Sequence, residues 1–405
     1  MKIAVIGGGA AGFFGALSCA KHFPEHEIIL FEKNTKLLSK VKISGGGRCN
    51  VTNDTLDINQ LVKNFPRGGK VLKKTFQQFS VNDTVNWFQH HGVALQTESD
   101  GRIFPASNDS QTIIDCLWKE AIKLGITIKT EFGVKVISKP EHQFRIEFTN
   151  QQTFTCDRIL IATGGNPNSQ SYQWLRDIGL SIIEPVPSLF TFNVPKSPLE
   201  GLQGLVVKDA IIKIKNTDLQ EKGIVLVTHW GFSGPAILRL SAWGARVLKE
   251  NDYQFSVHFN WLGDMKEQAL REELLSFKTD HHKKMVNNTP LFNLPKRLWE
   301  RLCLINGIEE SLRWGDLPHK NLNKLIESLL RDQYLVAGKT TFKEEFVTAG
   351  GIDLAQINMD SMESKVLSGL FFAGEVLDID GITGGFNFQA AWTTGWVAGK
   401  NMGVS

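Results

Sequence analysis

The sequence predicts an α/β protein that begins with a Rossmann-like, dinucleotide-binding unit, and three observations near the N terminus predict it. Residues 2–6 and 28–31 are short apolar strand patterns, and 13–22 between them is an apolar-rich helix pattern. A glycine-rich turn, Gly7–Gly12, joins the first strand to the helix. Glu32 follows the second strand. A strand, a helix and a strand in about 30 residues have the size that this fold requires.

The turn carries its own chemistry. Gly7, Gly9 and Gly12 stand where the turn is tight, where the backbone approaches a pyrophosphate, and where the helix packs on the strand. The free N–H groups that open the helix face the phosphates. An acid at Glu32 binds ribose hydroxyls and opposes a 2′-phosphate, which favours FAD or NAD. The alternative, a glycine turn without a ligand, is disfavoured by the strand, helix and acid around it.

The rest of the chain divides into regions that differ in their pattern of predicted helices and strands. Beyond the first unit, helix patterns span 69–91 and 110–124, and strand patterns span 126–138, 143–148 and 153–163. After Pro187 the pattern changes to short strands at 188–195, 205–215, 222–228 and 253–260, then to short helices over 264–335, and finally to a strand at 370–375 and a helix at 386–402. The short strands predict an antiparallel sheet or a small barrel.

Two further glycine clusters extend the predicted cofactor site. Gly45–Gly47 form a loop whose N–H groups can lie against a flavin or a phosphate. Near the C terminus, Glu375 ends a strand and Gly384–Gly385 open a helix, so the acid can hold ribitol hydroxyls and the helix N–H groups the flavin pyrimidine edge. A plain capped helix is the alternative there. The residues predicted to contact the cofactor are Gly7, Gly9, Ala10, Ala11, Gly12, Glu32, Lys33, Lys40, Ser44, Gly45, Gly46, Gly47, Arg48, Cys49, Asn50, Val134, Ala162, Thr163, Gly164, Gly374, Glu375, Gly384, Gly385, Phe386 and Asn387.

Two side chains are candidate proton donors. His229 follows a predicted strand, and imidazole can donate a proton near neutral pH. Cys49 lies near Lys42 and Arg48, beside the second glycine cluster. The alternatives are a structural or merely exposed histidine and an inert buried thiol. Metal-ligand spacing, a P-loop and a nucleophile elbow are not found in the sequence.

Charge and composition bound the partners. Residues 33–74 contain ten basic residues and two acids, although the whole chain has a net charge of only +3. This basic segment is either a solvated face with a few groups on the cofactor diphosphate, or a surface for a polyanionic substrate. Five scattered cysteines, no signal-peptide pattern and no apolar run of about 20 residues predict a cytoplasmic protein with no membrane association.

The chain resembles the BaiN/YhiN-type family of bacterial NAD(P)/FAD-dependent oxidoreductases. Segments spread over its length carry the resemblance: Gly7–Gly12, Ser44–Asn53, Gly101–Pro105, Ala162–Gly165, Thr228–Pro235 and Gly384–Asn387. The resemblance implies a discontinuous, glutathione-reductase-like FAD domain interrupted by a β-barrel-like domain, itself interrupted by a small helical one. With the change of texture along the chain, it predicts domains at 1–187 with 345–405, at 188–263 with 336–344, and at 264–335.

The resemblance also implies non-covalent FAD and several reactions. Similar chains are associated with aminoacetone oxidation, reduction of a bile-acid double bond, and reduction of a uridine of large-subunit ribosomal RNA to dihydrouridine. We favour the uridine because the basic segment 33–74 would complement RNA phosphates. A small-amine oxidase and a non-catalytic flavin-binding assembly factor are the alternatives. Only one glycine fingerprint is visible, so either NADH or NADPH visits the flavin transiently as reductant, or the reductant is another donor.

Overall fold

The computed structural model describes residues 1–340 and 347–404. These residues form two compact units: a discontinuous unit of 1–188 with 347–404, and an inserted unit of 189–340. The boundary predicted between 344 and 345 lies outside the described residues. Within the described residues, no helix is both long and apolar enough to cross a membrane.

The helices and strands are numbered along the chain. In the described part, the α-helices are α1 (Ala10–His22), α2 (Ser39–Gly47), α3 (Ile58–Leu61), α4 (Gly69–Gln78), α5 (Val81–His90), α6 (Gln111–Lys123), α7 (Gln173–Arg176), α8 (Pro235–Trp243), α9 (Ala245–Glu250), α10 (Glu267–Asp280), α11 (Lys296–Ile305), α12 (His319–Leu330) and α13 (Phe386–Asn401). Short 3-10 turns lie at Val62–Asn64, Ser169–Tyr172, Leu354–Gln356 and Gly374–Val376.

The strands, again over the residues described, are β1 (Lys2–Ile6), β2 (Glu27–Glu32), β3 (Thr52–Asn53), β4 (Leu95–Thr97), β5 (Arg102–Pro105), β6 (Thr127–Thr130), β7 (Val134–Ser138), β8 (Phe144–Phe148), β9 (Thr153–Cys156), β10 (Arg158–Ile161), β11 (Ile182–Ser188), β12 (Thr191–Asn193), β13 (Val206–Ile214), β14 (Gln220–Val227), β15 (Gly231–Ser233), β16 (Gln254–Asn260), β17 (Asp332–Ala337), β18 (Lys339–Thr340), β19 (Val347–Ile352), β20 (Ile357–Asn358), β21 (Glu363–Ser364) and β22 (Leu370–Phe372).

A twisted sheet organises the discontinuous unit. Its order is β20-β21-β22-β10-β1-β2-β6, and the five strands from β22 to β6 run parallel. The four strands β22, β10, β1 and β2 are apolar on both faces, as expected for parallel strands covered on each side, whereas the edge strand β6 is partly exposed. The pairing of β22 with β10 shows that the C-terminal segment completes the N-terminal sheet. The predicted α/β, Rossmann-like fold class is therefore confirmed.

Close packing of α1 against α13 fixes one face of that sheet. A Cβ added to Gly395 would lie 2.5 Å from the Ala11 carbonyl oxygen, and one at Gly399 would overlap the Gly15 carbonyl. The Ser18 hydroxyl donates to the Trp396 carbonyl at 2.7 Å. Glycine on both helices lets the two backbones approach, because any larger side chain would hold them apart.

The inserted unit has its own sheet and core. Its antiparallel sheet has the order β17-β16-β13-β14-β15-β12-β18. Side chains from the sheet and from the helices α8 and α10–α12 share one buried cluster, in which Phe232 and Phe259 of the sheet accompany Trp299 and Leu325 of the helices. The structure thus groups the helical segment 264–335 with the antiparallel sheet, while the division into three domains stays a prediction.

Candidate functional site

The carboxyl ends of the parallel strands bring four predicted segments to one edge of the sheet. Gly7 follows β1, Glu32 ends β2, Ala162 follows β10, and Gly374 lies just beyond β22. Chain connections leave β1 and β10 toward opposite sides of the sheet, because β2 and β6 lie on one side and β22 on the other. Open α/β sheets bind ligands at such a crossover point.

The first glycine turn is shaped by close backbone contacts. Gly7 has φ +118°, and a Cβ there would overlap the Ala162 carbonyl. A Cβ on Gly12 would overlap the Gly7 carbonyl, whereas one on Gly9 would meet nothing within 4 Å. The turn is tight at Gly7 and Gly12 and open at Gly9, where α1 begins with Ala10. Open space before the free N–H groups of a helix N terminus suits a diphosphate.

Glu32 is oriented by the backbone of its neighbours. One carboxylate oxygen accepts the N–H of Gly8 at 2.9 Å, and the other accepts the backbone and side-chain N–H groups of Asn34 at 2.9 and 3.0 Å. Lys33 is exposed beside it, and Val134 begins β7 at the same edge, two residues after Phe132 donates its N–H to the Glu32 carbonyl at 2.8 Å. The ribose-binding residues predicted at this end therefore lie together.

The second glycine cluster closes an interrupted helix rather than an open loop. In α2 the backbone leaves helical geometry at Ser44, Gly45 and Gly46, and Gly45–Gly47 have φ between +59° and +85°. That left-handed region strains any side chain, which explains three consecutive glycines. A Cβ on Gly46 or Gly47 would meet nothing within 4 Å, so open space lies beside both residues.

Hydrogen bonds tie the second cluster to the third. The Asn50 amide lies between the Gly385 N–H, at 2.9 Å, and the Thr52 carbonyl, at 3.0 Å. Asn53 donates to the Gly384 carbonyl at 3.0 Å. The two glycine segments, more than 300 residues apart, therefore form one continuous wall. They are separated in sequence and joined only by the fold.

The third cluster is closed by its own asparagine. The Asn387 amide accepts the Gly381 N–H at 2.8 Å and donates to the Gly381 carbonyl at 2.9 Å. Phe386 opens α13, and its ring lies 6.2 Å from that of Phe65. The Asn387 side chain thus fixes the loop that leads to α13 through two hydrogen bonds to the Gly381 backbone.

Glu375 sits at the centre of a small polar group. It accepts the ammonium of Lys40 at 2.8 Å and the N–H of Thr348 at 2.8 Å. The Thr348 hydroxyl is fully buried and has no hydrogen-bond partner among the described residues. A buried hydroxyl without a partner costs about 1 to 3 kcal/mol, so it points to a group that the site accommodates. Thr348 was not predicted from the sequence, because only its place beside Glu375 distinguishes it.

The basic residue Arg48 has protein partners. Its guanidinium pairs with Glu98 at 2.6 Å and lies 4.0 Å from the centre of the Phe104 ring. Arg48 therefore links the Gly101–Pro105 segment to the second glycine cluster.

Thr163 and Gly164, also predicted to contact the cofactor, lie beyond β10. Thr163 is exposed, and Gly164 has φ +75° with free space beside it.

Cys49 lies deep in the discontinuous unit. Its side chain has no exposed surface, and burial raises the pKa of the thiol to about 12, with a hydrogen bond from the Ser44 side chain acting in the opposite direction. Its backbone has φ +61°. A fully buried thiol with so high a pKa is a weak acid, so the structure disfavours Cys49 as the proton donor.

His229 belongs to the inserted unit and lies at a cavity. It is exposed and lines a volume of about 310 Å³ together with Lys196, Thr228 and Trp230. The Thr228 hydroxyl oxygen is buried with no partner in the described residues, and the Trp230 indole donates to Thr191 at 3.0 Å. The cavity offers an imidazole and an ammonium to a polar ligand, and the Thr228 hydroxyl lies buried beside it.

An ion pair that sequence reasoning missed supports the third cluster. Asp380 is fully buried and receives two hydrogen bonds from the Arg67 guanidinium and one from Ser188 at 2.8 Å. Burial raises the pKa of Asp380, and the Arg67 bonds and charge act in the opposite direction. Arg67 appears in the sequence only as one of ten basic residues, and its partner lies more than 300 residues away.

The observed geometry fits an FAD laid along this edge. Open space lies beside Gly9, Gly46, Gly47 and Gly164, which belong to the segments gathered at this edge. The orphan Thr348 hydroxyl lies next to Glu375. Glycines with open space beside them, an acid at one end and the N terminus of a helix at the other match the groups of an extended dinucleotide.

Comparison with known proteins extends over nearly the whole chain. A family model described as HI0933-like protein Rossmann domain matches residues 1–401. A ribosomal RNA dihydrouridine synthase of Escherichia coli is 30% identical over 408 residues, which cover 98% of this chain and 97% of that protein. A 3-dehydro-bile acid delta(4,6)-reductase of Clostridium scindens is 26% identical, with 98% of each chain covered.

Solved structures are similar in fold. A 3-ketosteroid-delta4-(5alpha)-dehydrogenase from Rhodococcus jostii superposes with a TM-score of 0.51 at 11% identity, over 100% of this chain and 96% of that one. A 3-ketosteroid delta1-dehydrogenase from Sterolibacterium denitrificans gives 0.52 at 11% identity, over 99% and 98%. At these identities the likeness concerns the fold alone.

Proposed function

From the premise that this chain belongs to the HI0933-like Rossmann-domain family, we propose that it reduces a carbon–carbon double bond, that of a uridine in large-subunit ribosomal RNA. The predicted family resemblance and the enzyme class, an FAD-dependent oxidoreductase, are confirmed. The observation that carries the proposal is the edge that holds Glu32, the Gly7–Gly12 turn and the Gly384–Gly385 turn, with open space beside Gly9, Gly46 and Gly47.

FAD supplies a hydride when bound. Glu32 binds the adenosine ribose, the Gly7–Gly12 turn binds the diphosphate, and the Gly384–Gly385 turn binds the flavin pyrimidine edge. The Asn50 and Asn53 contacts hold that last turn in place. NADH or NADPH is the proposed reductant, visiting the flavin transiently.

The uridine is supported by the names of two relatives and by chemistry. The Escherichia coli and Haemophilus influenzae relatives are both ribosomal RNA dihydrouridine synthases, 30% and 27% identical to this chain. In uracil the C5–C6 bond is conjugated to the C4 carbonyl, so hydride adds to C6 and a proton to C5. The reaction therefore needs a proton donor from the protein or from solvent.

His229 is the proposed donor. Its imidazole is exposed at a cavity with polar groups, whereas the Cys49 thiol is buried and its pKa is raised to about 12. We expect His229→Ala to slow reoxidation of the reduced flavin by RNA in a single turnover by about 100-fold or more, the usual contribution of a positioned acid. Flavin content and the rate of flavin reduction by NADH or NADPH should be retained.

The control for this variant is His319→Ala, which removes an exposed histidine of the same unit. Cys49→Ala should slow the same step much less than His229→Ala. Equal rates for wild type and His229→Ala would show that His229 is not the acid. A larger loss from Cys49→Ala would return the role to the thiol.

The substrate is tested in cells and in vitro. Ribosomal RNA from cells with and without the gene, compared by mass spectrometry, should differ by one dihydrouridine in the large subunit. The purified protein with NADH or NADPH should restore it on RNA from the deletion strain. Unchanged RNA would reject the uridine, steady peroxide production with aminoacetone would indicate an amine oxidase, and a flavin that NADH and NADPH cannot bleach would indicate a binding protein.

A further inference from the structure

The basic segment 33–74 separates, in the structure, into residues that have partners within the fold and residues that face solvent. Arg67 pairs with buried Asp380, Arg48 with Glu98, and Lys40 with Glu375. These three basic side chains are paired with carboxylates of the protein itself. Several lysines of the segment are exposed, and Lys70, Lys73 and Lys74 are the group that a single helix, α4, places together.

Helix α4 presents one basic face. Lys70, Lys73, Lys74 and Gln77 are all exposed and follow the i, i+3, i+4, i+7 spacing of a single helix face, which we name the α4 basic face. The opposite side is buried through Leu72 and Phe76. The helix is thus held by its apolar side and displays its lysines outward.

These lysines have little compensation in the described chain. Lys74 lies 3.8 Å from Asp360, and both side chains are more than 60% exposed, so that pair contributes little. For Lys70 and Lys73, no carboxylate lies within 4 Å among residues 1–340 and 347–404. Like charges at these spacings, and a lysine in the first turn of a helix, each oppose helix formation by a few tenths of a kcal/mol. The arrangement becomes favourable when anions lie against it.

The face is attached to the loop that forms the proposed flavin end of the site. Asn64 accepts the N–H of Ile382 at 2.9 Å, and Arg67 binds Asp380. A Cβ on Gly68 would lie 2.6 Å from the Ile379 side chain, directly before α4 begins. The lysines and the Gly384–Gly385 turn are therefore parts of one packed substructure within the discontinuous unit.

We propose that the α4 basic face binds the phosphodiester backbone of the RNA that contains the reduced uridine. The inference rests on the proposed function and adds the surface that receives the substrate. From Lys70 to Gln77 the helix rises about 10 Å, enough to meet two or three successive phosphates of a single strand. Lysine ammonium groups and a glutamine amide bind phosphates without reading the base sequence, and so position the strand.

The test compares two triple variants with equal loss of charge. Lys70→Gln/Lys73→Gln/Lys74→Gln removes the face, and Lys208→Gln/Lys213→Gln/Lys215→Gln removes three exposed lysines of the inserted unit. Binding of a fluorescein-labelled single-stranded RNA of about 20 nucleotides, longer than one binding site, is followed by anisotropy at several salt concentrations. Flavin content and melting temperature verify that each variant folds.

Loss of the face should lower the slope of log Kd against log salt by about 2, because single-strand binding releases roughly 0.7 counterion per phosphate neutralised. For dihydrouridine formation on ribosomal RNA, KM should rise at least 10-fold while kcat changes little. The control variant should keep both the slope and KM. An unchanged slope without the face, an equal change in the control, or no RNA binding by the wild type would overturn the inference.

Two outcomes separate this inference from the reaction proposed above. If the wild type binds RNA through the face but forms no dihydrouridine, the reaction is wrong and the surface stands. If dihydrouridine forms equally well without the face, the surface is wrong and the reaction stands. Tighter binding of the same face to phosphatidylglycerol vesicles than to RNA would also overturn the inference, in favour of an anionic membrane surface.

Discussion

Glu32 carries the strongest single-residue expectation for cofactor binding. Its oxygens are already oriented by the Gly8 and Asn34 N–H groups, so a ribose meets a preformed acceptor. Hydrogen bonds to a charged group contribute about 1.5 to 3 kcal/mol, so Glu32→Ala should weaken FAD binding roughly 10- to 100-fold. Equilibrium dialysis or quenching of flavin fluorescence measures this change. Glu27→Ala, exposed at the opposite end of β2, should bind FAD normally, and an equal loss there would contradict the assignment.

Asp332 gives a prediction about pH. Its carboxylate accepts the Trp261 indole at 2.9 Å and the Tyr334 hydroxyl, and desolvation raises its pKa from 3.8 to about 6. Because the pKa of Asp332 is raised in the folded state, protonation of this carboxyl group stabilises the fold. The stabilisation is fully present below about pH 4 and is lost as pH rises through about 6. The amount is about 3 kcal/mol at 1.4 kcal/mol per pKa unit.

Asp332→Asn keeps an oxygen that can accept both hydrogen bonds and removes the titration. The melting temperature of the wild type, relative to this variant, should therefore fall between pH 4 and pH 7. Thermal unfolding followed by circular dichroism at several pH values measures the difference. A constant difference over that range would show that Asp332 does not titrate as expected.

At the level of elements, the contact of α1 with α13 is the most sensitive to volume. A Cβ at Gly395 would lie 2.5 Å from the Ala11 carbonyl oxygen, and backbone cannot move aside as a flexible side chain can. Gly395→Ala should lower the free energy of unfolding by about 1 to 3 kcal/mol, the usual result of overpacking. It should also weaken FAD binding, because Ala11 belongs to the glycine turn. Lys400→Ala, exposed on the same helix, is the control, and equal melting temperatures for both variants would refute the expectation.

Local patterns predicted most elements of the first unit and misjudged some ends. The continuous helix predicted over 69–91 breaks at Phe79 and Ser80, where the Ser80 hydroxyl and Asp83 carboxylate form a reciprocal cap for α5. Ser80 and Asp83 have the spacing of such a cap, but their apolar neighbours hid it. Helix α8 was not predicted, although Pro235 stands at its first position, where proline is favoured.

The site was predictable where chemistry is local. The spacing of the glycine turns and of Glu32 was enough to identify them as candidate cofactor-binding residues. The structure brings them to one edge of the sheet. Thr348 and the Arg67–Asp380 pair could not be recognised, because each is defined by a partner distant in sequence. The sequence left both an activated and an inert buried Cys49 open, because Lys42 and Arg48 lie near it in the chain, and only the fold shows that it is buried.

For the whole molecule, the insertion point has a simple geometry. In the discontinuous unit Ser188 pairs with Val347, and in the inserted unit Thr191 pairs with Thr340. In each unit, the two segments that lead into the insertion point are therefore paired side by side. Each unit also has a separate core. Independent folding is expected when a segment has its own core and adjacent ends.

We therefore expect residues 189–340 to fold alone, with a cooperative thermal transition and no bound flavin. Residues 1–188 joined to 347–405 by a short glycine-serine linker should bind FAD, as measured by absorbance near 450 nm. This joined protein should not turn over RNA, because it lacks His229. Loss of flavin binding in the joined protein, or a fragment without a cooperative transition, would show that the units depend on each other.

The pairing of Ser188 with Val347 also bears on the order in which the chain folds. To form that pair while the insertion is unfolded, the chain must close a loop of on the order of 160 residues. Once Thr191 and Thr340 are paired, the same closure spans only the few residues that separate the two pairs along the chain. Loop entropy changes by (3/2)RT times the logarithm of the length ratio, which is about 3 kcal/mol. Folding of the inserted unit first would therefore lower the entropic cost of pairing β19 with β11. The same shortened loop would help β22, which follows β19 in the chain, to reach β10 in the parallel sheet.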